Sequence, residues 1–351
     1  MIITIPSFGL STTGGDRMII TIANGLSKRG HVVNMVNLGT KVLPYKISKE
    51  VNVIAVPFHS EKKNLFDFVL RGMNKLANNL PPSDIYLANW VYTVLPCIAN
   101  DRRGRTIFLA QADEAYDFVP PRLKILNGIS YEAFKLNIPI VVPSTFLGKM
   151  IKQRFRNRTI VIPPCVNVNT FKPKTKKNPH VLKLLFVGDV ESKNKGLDIL
   201  MRACAHIKDI NFELHIATQR SVTFDTKYNV FVHKPRNNRE LAHIYNESDV
   251  FFHLSQKEGF GLTLLEAMAS GLIGVVTDSG GINDFAVNKK NCLIVQRNVD
   301  SVVSTIYGIH NNTKRFKNTI ISNAIKTAAQ YSEKRMIDSF ESLFLKYISK
   351  N

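Results

Sequence analysis

Two glutamates, Glu258 and Glu266, flank a glycine-containing segment whose residue types suit a phosphorylated ligand. The segment begins Gly259-Phe260-Gly261-Leu262, follows the apolar run Val250–Leu254, and leads into a predicted helix, Gly261–Ser270. Glycines let backbone N–H groups approach an anion closely, and the positive end of a helix favours phosphate. The layout is therefore typical of a nucleotide-sugar site: the N–H groups bind phosphates, one carboxylate binds sugar hydroxyls, and the other binds ribose.

A second pair of glutamates has the same spacing in a different context. Glu333 and Glu341 lie in a predicted helical segment, residues 318–351, with no glycine loop beside them. We therefore expect this second pair to be solvated surface. The strand–loop–helix context, and not the spacing alone, makes the first pair informative.

Two further motifs could bind phosphate. Gly14 and Gly15 follow the predicted strand Ile2–Ile5, and Lys195 follows the predicted strand Leu182–Val187 at the mouth of the next helix. Each has a simpler interpretation, namely a plain strand-to-helix turn for the glycines and a solvated loop cation for the lysine. The glycines do not form the G-x-G-x-x-G pattern of dinucleotide-binding proteins, which weakens a dehydrogenase interpretation.

These motifs need strands to position them, and the sequence supplies strands in both halves. Short apolar runs alternate with longer helix-prone segments, which is typical of parallel sheets covered on both faces. The runs are Ile2–Ile5, Val32–Asn37, Val51–Val56, Ile85–Ala88, Thr106–Leu109, Ile138–Val142, Leu182–Val187, Phe212–Ala217, Val230–His233, Val250–Leu254, Gly274–Thr277 and Cys292–Val295. The predicted fold class is α/β, with two Rossmann-like, doubly wound parallel-sheet domains whose ligands bind at the carboxyl ends of the strands.

A proline-rich basic stretch, Pro163–Pro179, marks the predicted domain boundary. We expect an N-terminal domain of residues 1–167, completed by a C-terminal helix of residues 332–351. The remaining residues, 168–331, would form the second domain.

Composition narrows the possible partners. The 351 residues include 47 basic and 27 acidic ones, for a formal net charge of +20, and 44% are hydrophobic, as in globular proteins. No apolar run approaches the roughly 18–20 residues of a membrane-spanning helix, and no signal-peptide pattern opens the sequence. Four dispersed cysteines predict free thiols in a reducing compartment, so we expect a cytoplasmic protein. Because no RRM, KH or helix-turn-helix pattern occurs, we expect no nucleic-acid partner.

The motif Glu258-Gly-Phe-Gly-Leu-x-x-x-Glu266 resembles the E-x7-E signature of the retaining glycosyltransferases of family 4, which have the GT-B fold. Further matches to the family lie at residues 24–33, 142–144, 161–173, 195–196 and 278–284, so the resemblance covers almost the whole chain. It implies two Rossmann-like domains facing a central cleft and a nucleotide-diphosphate sugar as donor substrate. No Asp-x-Asp metal-binding motif occurs in the sequence, so we expect no metal site and no cofactor.

The resemblance also implies roles for individual residues. Lys195 would contact the donor diphosphate, and Glu266 would take the ribose hydroxyls. The sugar and phosphate would be held by Glu258 and by the backbone of Gly259, Phe260, Gly261 and Leu262. Gly15, with Gly14 beside it, would lie beneath the diphosphate in the facing domain. Front-face attack, with the leaving diphosphate helping to deprotonate the acceptor, would then need positioning and electrostatic stabilisation and no enzymic nucleophile.

The sequence departs from the family pattern in the second domain at Asp189, where the family usually has an arginine. Lys193 or Arg220 would then have to supply the second phosphate-binding cation, or phosphate binding would be weaker. This departure supports an alternative function: a catalytically weak or inactive glycosyltransferase-like protein that binds a nucleotide sugar or glycan.

A second departure lies in the first domain, where many family members place a histidine near the reacting sugar. Residues 60–179 contain none. Gln111, Asp113 and Glu114 follow a predicted strand in roughly that region and are our candidates, with Asp113 as a candidate catalytic residue. The simpler interpretation is a solvated acidic turn.

The first domain is also the more basic one, with 25 basic and 10 acidic residues in positions 1–180. The resemblance places the acceptor on this domain, and anionic lipids attract basic surfaces. We therefore expect a glycan or lipid-linked acceptor of polysaccharide biosynthesis and peripheral attachment to the cytosolic membrane face; the alternative is a solvated basic surface. The candidate membrane-facing residues are Lys62, Lys63, Arg71, Lys75, Arg102, Arg103, Arg105, Lys149, Lys152, Arg154, Arg156 and Arg158, with Phe66, Phe68, Leu70, Phe146 and Phe155 among them.

Overall fold

A computed structural model describes residues 1–10, 13–39, 46–58, 65–102, 105–113, 124–174 and 181–349. The chain divides into two compact units. Unit 1 comprises Met1–Pro164 and Glu333–Asn351, and unit 2 comprises Cys165–Ser332. Each unit is a parallel sheet with helices packed on it.

The sheet of unit 1 contains seven described strands in the order β3-β2-β1-β4-β5-β6-β7. The strands are β1 (Ile2–Ser7), β2 (Val32–Leu38), β3 (Val51–Val56), β4 (Ile85–Ala88), β5 (Thr106–Leu109), β6 (Ile140–Val142) and β7 (Thr159–Val161). The helices of its first 164 residues that the structure describes are α1 (Gly14–Ser27), α2 (Leu65–Ala77), α3 (Val91–Asn100), α4 (Lys124–Lys135) and α5 (Thr145–Phe155). All four residues of β4 and of β5 are buried, as expected of strands covered on both faces.

The sheet of unit 2 contains six strands in the order β10-β9-β8-β11-β12-β13. They are β8 (Leu182–Val187), β9 (Phe212–Ala217), β10 (Val230–His233), β11 (Val250–His253), β12 (Ile273–Val276) and β13 (Leu293–Ile294). The helices of this unit are α6 (Leu197–Ala205), α7 (Asn238–Asn246), α8 (Leu262–Ala269), α9 (Val299–Asn311) and α10 (Lys314–Ala329). Large buried side chains such as Tyr245, Phe251 and Leu265 fill the core between the sheet and α7 and α8.

The last helix, α11 (Glu333–Ile348), belongs to unit 1. Its residues Met336, Phe340 and Phe344 form a buried apolar stripe along the helix. The helix packs so closely against α1 that a Cβ on Gly25 would lie only 2.5 Å from Ile337 Cγ1.

An ionic cluster also joins α11 to the end of α1. Arg29 Nη1 lies 2.5 Å from Glu341 Oε2, and His31 Nε2 lies 2.6 Å from Glu341 Oε1. Arg29 Nη2 also lies 2.6 Å from Asp338 Oδ1. The expectation that Glu341 is solvated surface is therefore wrong. Its partners lie more than 300 residues away in sequence, where no local pattern reveals them.

The fold class predicted from sequence is confirmed. Several strands, among them Val51–Val56 and Phe212–Ala217, have the predicted bounds. Helix α1 starts at Gly14, where the Thr13 side chain caps it by accepting a hydrogen bond from the backbone N–H of Asp16. None of the helices in the described parts of the chain is both long enough and apolar enough to cross a membrane.

Candidate functional site

The strand order of unit 2 identifies where a ligand would bind. From β8 the chain moves outward to β9 and β10, then returns to place β11 on the other side of β8. Ligands of open α/β sheets bind at such a reversal point, outside the carboxyl ends of the strands. The loops that follow β8 and β11 are the ones that carry Lys195 and Glu258.

These two side chains meet directly. Lys195 Nζ lies 2.6 Å from Glu258 Oε1, and Ser255 Oγ donates to the same oxygen at 2.7 Å. The Glu258 side chain is 16% exposed and the Lys195 side chain 31% exposed, so both remain partly accessible to solvent. Residues 63 positions apart in sequence thus form one charged pair at the reversal point.

His253, the last residue of β11, lies behind this pair. Its Nε2 is 3.8 Å from Glu258 Oε1 and is a buried atom for which the structure gives no hydrogen-bond partner. Burial lowers the pKa of His253 to about 4, so the imidazole is neutral at neutral pH. The sequence does not single out this residue, because a histidine at the end of an apolar strand is expected to belong to the core.

Burial by itself raises the pKa of the Glu258 carboxyl, but its surroundings outweigh that effect. The proximity of His253 and of Lys195, with hydrogen bonds from Lys195 and Ser255, places the pKa of Glu258 below its usual value. The carboxylate is therefore ionised at neutral pH. Its recorded contacts with side chains of the described chain all fall on Oε1, which leaves Oε2 for a hydroxyl donor.

Backbone hydrogen bonds and closely packed glycines fix the conformation of the loop that carries Glu258. Glu258 N–H donates to the Ser279 carbonyl at 2.9 Å, and Gly281 N–H donates to the Glu258 carbonyl at 3.1 Å. At Gly261, φ is +96°, and a Cβ would meet Ile282 Cγ2 at 2.5 Å. A side chain at position 261 would thus be strained twice, by conformation and by contact.

Helix α8 begins immediately after this glycine, at Leu262. The first N–H groups of a helix have no acceptor within the helix and carry partial positive charge. The segment 259–262 predicted to bind phosphate therefore leads into a helix N-terminus beside the charged pair. Gly259 and Leu262 are partly exposed, while Phe260 is buried against Phe285 and Tyr331.

Glu266 lies inside α8, one turn beyond its start. Its residue exposure is 2%, and Tyr245 Oη lies 3.3 Å from Glu266 Oε2 and 3.1 Å from the Thr263 carbonyl oxygen. The tyrosine therefore orients this carboxylate from within the core. The structure places Glu266 in the helix next to the Glu258 loop, as its sequence position indicates.

Two residues that sequence reasoning missed hold the loops together. The Asn194 side chain donates to the Lys257 carbonyl at 2.9 Å and accepts from the Lys257 N–H at 3.0 Å. Arg297 donates to the Leu254 carbonyl at 2.9 Å and to the Lys193 carbonyl at 2.7 Å. These bonds cross-link the β8 and β11 loops. Nothing in the local sequence marks either residue, because their partners are distant in sequence.

The other predicted cations of unit 2 lie on the same edge. Lys193 is exposed at the start of the 3-10 turn that ends at Lys195. Arg220, in the segment after β9, contacts Asp189 and Glu191 of the β8 loop. The acidic residue that departs from the family pattern is thus next to an arginine from the neighbouring strand.

Unit 1 has a comparable reversal point, between β1 and β4. Gly14 and Gly15 open α1 just after β1, and a Cβ on Gly15 would meet Gln111 Oε1 at 2.9 Å. Asp113 is buried and forms an ion pair with Arg154 of α5. The structure therefore brings Gly15 and Gln111 together and holds Asp113 by a cation. Glu114, the third candidate of that region, lies outside the described residues.

Among the residues that the structure describes, no group of three or more His, Cys, Asp or Glu side chains could hold a metal ion. The charged groups of the unit 2 site are instead suited to binding an anion next to a polyhydroxylated group. Lysine and helix N–H groups serve the anion, and an oriented carboxylate serves hydroxyls.

Fold and site together define an α/β protein of two Rossmann-like units, with a charged, glycine-containing loop at the reversal point of the second. Residues 167–327 match the family model described as "Glycosyl transferases group 1". Residues 167–327 thus match the group 1 glycosyltransferase family, which confirms at that level the resemblance seen in the sequence.

Individual proteins agree with this assignment. An uncharacterized glycosyltransferase of Haemophilus influenzae is 24% identical over 325 residues, which cover 87% of this chain and 89% of that protein. The structure of sucrose-phosphate synthase from Thermosynechococcus elongatus superposes with a TM-score of 0.82 at 15% identity, covering both chains completely. Anabaena HepE in complex with UDP-glucose superposes with a TM-score of 0.72 at 14% identity, again over both whole chains. At these identities the two structures show the shared fold alone.

Proposed function

We propose that this chain is a retaining, metal-independent glycosyltransferase of family 4 that transfers a sugar from a nucleotide-diphosphate sugar. The observation that carries the proposal is the 2.6 Å contact between Lys195 Nζ and Glu258 Oε1 at the start of α8. It places a cation, an ionised carboxylate and helix N–H groups within one small site. That HepE binds UDP-glucose in a similar fold supports this class of donor.

In this proposal each group has a separate task. Lys195 moves from Glu258 to the donor diphosphate and, with the N–H groups of residues 259–262, stabilises the negative charge that grows on the leaving group. Glu258 accepts hydrogen bonds from sugar hydroxyls, and Glu266 accepts those of the ribose. The leaving diphosphate takes the proton of the acceptor, so that the enzyme supplies positioning and charge stabilisation.

A thermal-shift panel of nucleotide sugars, followed by titration, tests the site. Loss of a charged hydrogen-bond partner costs about 1.5–3 kcal/mol, so Lys195→Ala and Glu266→Ala should each weaken donor binding by roughly tenfold to hundredfold. Lys208→Ala, which removes an exposed lysine of the same unit, is the matched control. Unchanged titration curves for both site variants would contradict the assignment.

The acceptor that we propose is a glycan or lipid-linked molecule at the cytosolic membrane face. Helix α5 and the residues after it expose Lys149, Lys152, Arg156 and Arg158, and each well-placed cation contributes about 1 kcal/mol of attraction to anionic lipid. The prediction for Arg105 is wrong, because its side chain is 8% exposed and faces Asp84 at 3.9 Å. Lys62, Lys63 and Arg103 lie outside the described residues.

Vesicle sedimentation of the full chain tests this part separately. Binding should require anionic vesicles, fall with salt, and be lost in a variant with Lys149, Lys152 and Arg156 changed to Glu. Changing Lys314, Arg315 and Lys326 of α10 to Glu alters the net charge equally on unit 2 and should leave binding intact. Equal losses in both variants would indicate non-specific attraction and make a soluble acceptor the better proposal.

Asp189 favours a second candidate function, a glycosyltransferase-like protein that binds a donor without transferring its sugar. Product analysis separates the two functions. An enzyme releases sugar or nucleoside diphosphate from the nucleotide sugar that gives the largest thermal shift. A binding protein gives the same shift and releases neither.

A further inference from the structure

One arginine joins two loops at the edge of the donor site of unit 2. Arg220 Nε lies 3.3 Å from Asp189 Oδ1, and its Nη2 lies 3.4 Å from Asp189 Oδ2. The same Nη2 lies 3.0 Å from Glu191 Oε2. A single guanidinium from the segment after β9 thus engages two carboxylates of the loop after β8.

The position of this arginine is fixed at its base. Thr218 Oγ1 accepts a hydrogen bond from the Arg220 N–H at 3.3 Å, and the Gln219 side chain donates to the Pro235 carbonyl at 2.8 Å. Thr218 itself is 4% exposed. The arginine therefore extends from an anchored turn, while about half of its side chain (49%) remains exposed.

Arg220 and Lys195 both lie next to one turn, Gly188–Asp189. A Cβ on Gly188 would meet the Lys195 side chain at 3.7 Å, so this backbone packs against the lysine stem. Asp189 responds to both cations: the hydrogen bond from Arg220 is the main cause of its lowered pKa, and the charge of Lys195 lowers it further. Cations from two neighbouring loops thus lie beside the same turn, at the carboxyl ends of the adjacent strands β9 and β8.

The guanidinium keeps donors for a further anion. A guanidinium has five N–H groups in a planar fork, and the contacts to Asp189 and Glu191 use Nε and Nη2. No acceptor for Nη1 is recorded among the residues that the structure describes. Its two N–H groups can therefore bind a phosphoryl oxygen while the carboxylates hold the other side of the fork.

We propose that Arg220 is a second phosphate-binding cation of the donor site, and that Asp189 and Glu191 are positioning residues that hold its guanidinium. This inference rests on the proposed function and refines it: Lys195 engages one phosphoryl group of the diphosphate and Arg220 the other. Asp189 then supports diphosphate binding, although it is an acidic residue beside an anion.

The opposite arrangement makes a different prediction. If the two carboxylates sequester Arg220 from the diphosphate, removing them frees the cation, and Asp189→Asn then tightens diphosphate binding. If they position it, the same change weakens binding. The sign of the Asp189→Asn effect therefore distinguishes the two arrangements.

The experiment uses the full chain with UDP, GDP and ADP and the matching nucleosides, measured by titration calorimetry. With the diphosphate that binds best, Arg220→Ala should raise Kd about tenfold and leave the Kd of its nucleoside unchanged. Arg220→Lys should fall between wild type and Arg220→Ala, because it keeps the charge without the fork. Asp189→Asn should raise Kd less than Arg220→Ala does and add little in the Arg220→Ala background. Arg202→Ala, which breaks the exposed ion pair to Asp198 on α6, is the control and should match wild type.

The outcomes separate the inference from the function on which it rests. Unchanged diphosphate affinity in Arg220→Ala, or tighter binding in Asp189→Asn, overturns the inference. In either case a weakened Lys195→Ala variant shows that the donor site itself is correctly placed. If Lys195→Ala also binds like wild type, or if no nucleoside diphosphate binds at all, the proposed function fails and the inference fails with it.

Discussion

Two glutamates, Glu258 and Glu341, each contact a cation and a histidine, but they lie in different backbone settings. Glu258 in unit 2 contacts Lys195 at 2.6 Å and faces His253 at 3.8 Å. Glu341 in unit 1 contacts Arg29 at 2.5 Å and His31 at 2.6 Å. Contacts with a cation and a histidine therefore do not by themselves distinguish the two carboxylates.

The difference lies in the backbone that carries each carboxylate. Glu258 belongs to a loop at the carboxyl end of a strand, beside a glycine of positive φ and a helix N-terminus with N–H groups to offer. Glu341 lies within α11, where the backbone N–H groups are used by the helix itself. In our proposal the first cluster exchanges its internal partners for a ligand. The second cluster connects α1 to α11.

The largest expected effect comes from neutralising the first of these glutamates. Glu258→Gln keeps the shape of the side chain and removes the charge that orients Lys195 and the sugar hydroxyls. Losing one preorganised group of this kind costs about 10²- to 10³-fold in turnover, so we expect a loss of that size in sugar release. A variant within twofold of wild type would show that the wrong carboxylate has been assigned.

The histidines sharpen the comparison through pH. His253 is buried with a pKa of about 4, against 6.5 in an unfolded chain. Below pH 6.5 the unfolded state therefore binds a proton that the native state does not. Stability is complete above that pH and falls as the pH drops from 6.5 to 4, by about 3 kcal/mol in total.

Urea unfolding of wild type and His253→Gln between pH 7.5 and 4 measures this contribution. The loss of stability towards low pH should be smaller in the variant. His206→Gln, which removes an exposed histidine of the same unit, should keep the wild-type slope. Parallel curves for wild type and His253→Gln would mean that His253 has the same pKa in the folded and unfolded protein, which would contradict the lowered value.

These two regions also show what a sequence can reveal. Continuous apolar runs such as Val51–Val56 predict buried parallel strands well, because one local pattern determines both conformation and burial. The glycines before α8, Gly259 and Gly261, likewise indicate that the backbone there packs closely against neighbouring residues. In contrast, β7 (Thr159–Val161) is short and partly exposed. Because it lacks a continuous apolar run, the sequence does not predict it.

Long-range polar contacts lay beyond prediction for a physical reason. Asn194 and Arg297 connect loops through single hydrogen bonds to backbone carbonyls, and any polar residue could do so if the fold placed it there. The partners of Glu341 depend on where the last helix returns to the first. Local spacing contains no information on either arrangement.

We expect a smaller effect from Glu341→Gln, which should lower stability and leave turnover nearly unchanged. The hydrogen bond from His31 is the main cause of the lowered pKa of Glu341. The ionised Glu341 side chain therefore stabilises the folded protein above its unfolded-state pKa. This stabilisation is lost as the pH falls through the folded-state pKa. Because the cluster is partly exposed, we expect a loss of about 1 kcal/mol at pH 7, reduced by salt. Urea unfolding with and without added salt checks this, and sugar release per folded molecule should stay within twofold. Loss of turnover without loss of stability would contradict this role.

The smallest effect is expected from Glu333→Gln, the other member of that pair. Glu333 begins α11, and as an acidic residue in the first turn it interacts favourably with the helix dipole. Such exposed interactions contribute about 0.3–1 kcal/mol, so neutralising Glu333 should lower stability by less than about 0.5 kcal/mol and leave turnover within twofold.

The double variant Glu333→Gln/Glu341→Gln then tests whether the pair acts as a unit. Independent sites add within about 0.3–0.5 kcal/mol, so the double variant should behave as the sum of the two single ones. A coupling above 1 kcal/mol, or a loss of turnover close to that of Glu258→Gln, would show that the eight-residue spacing matters in α11 after all.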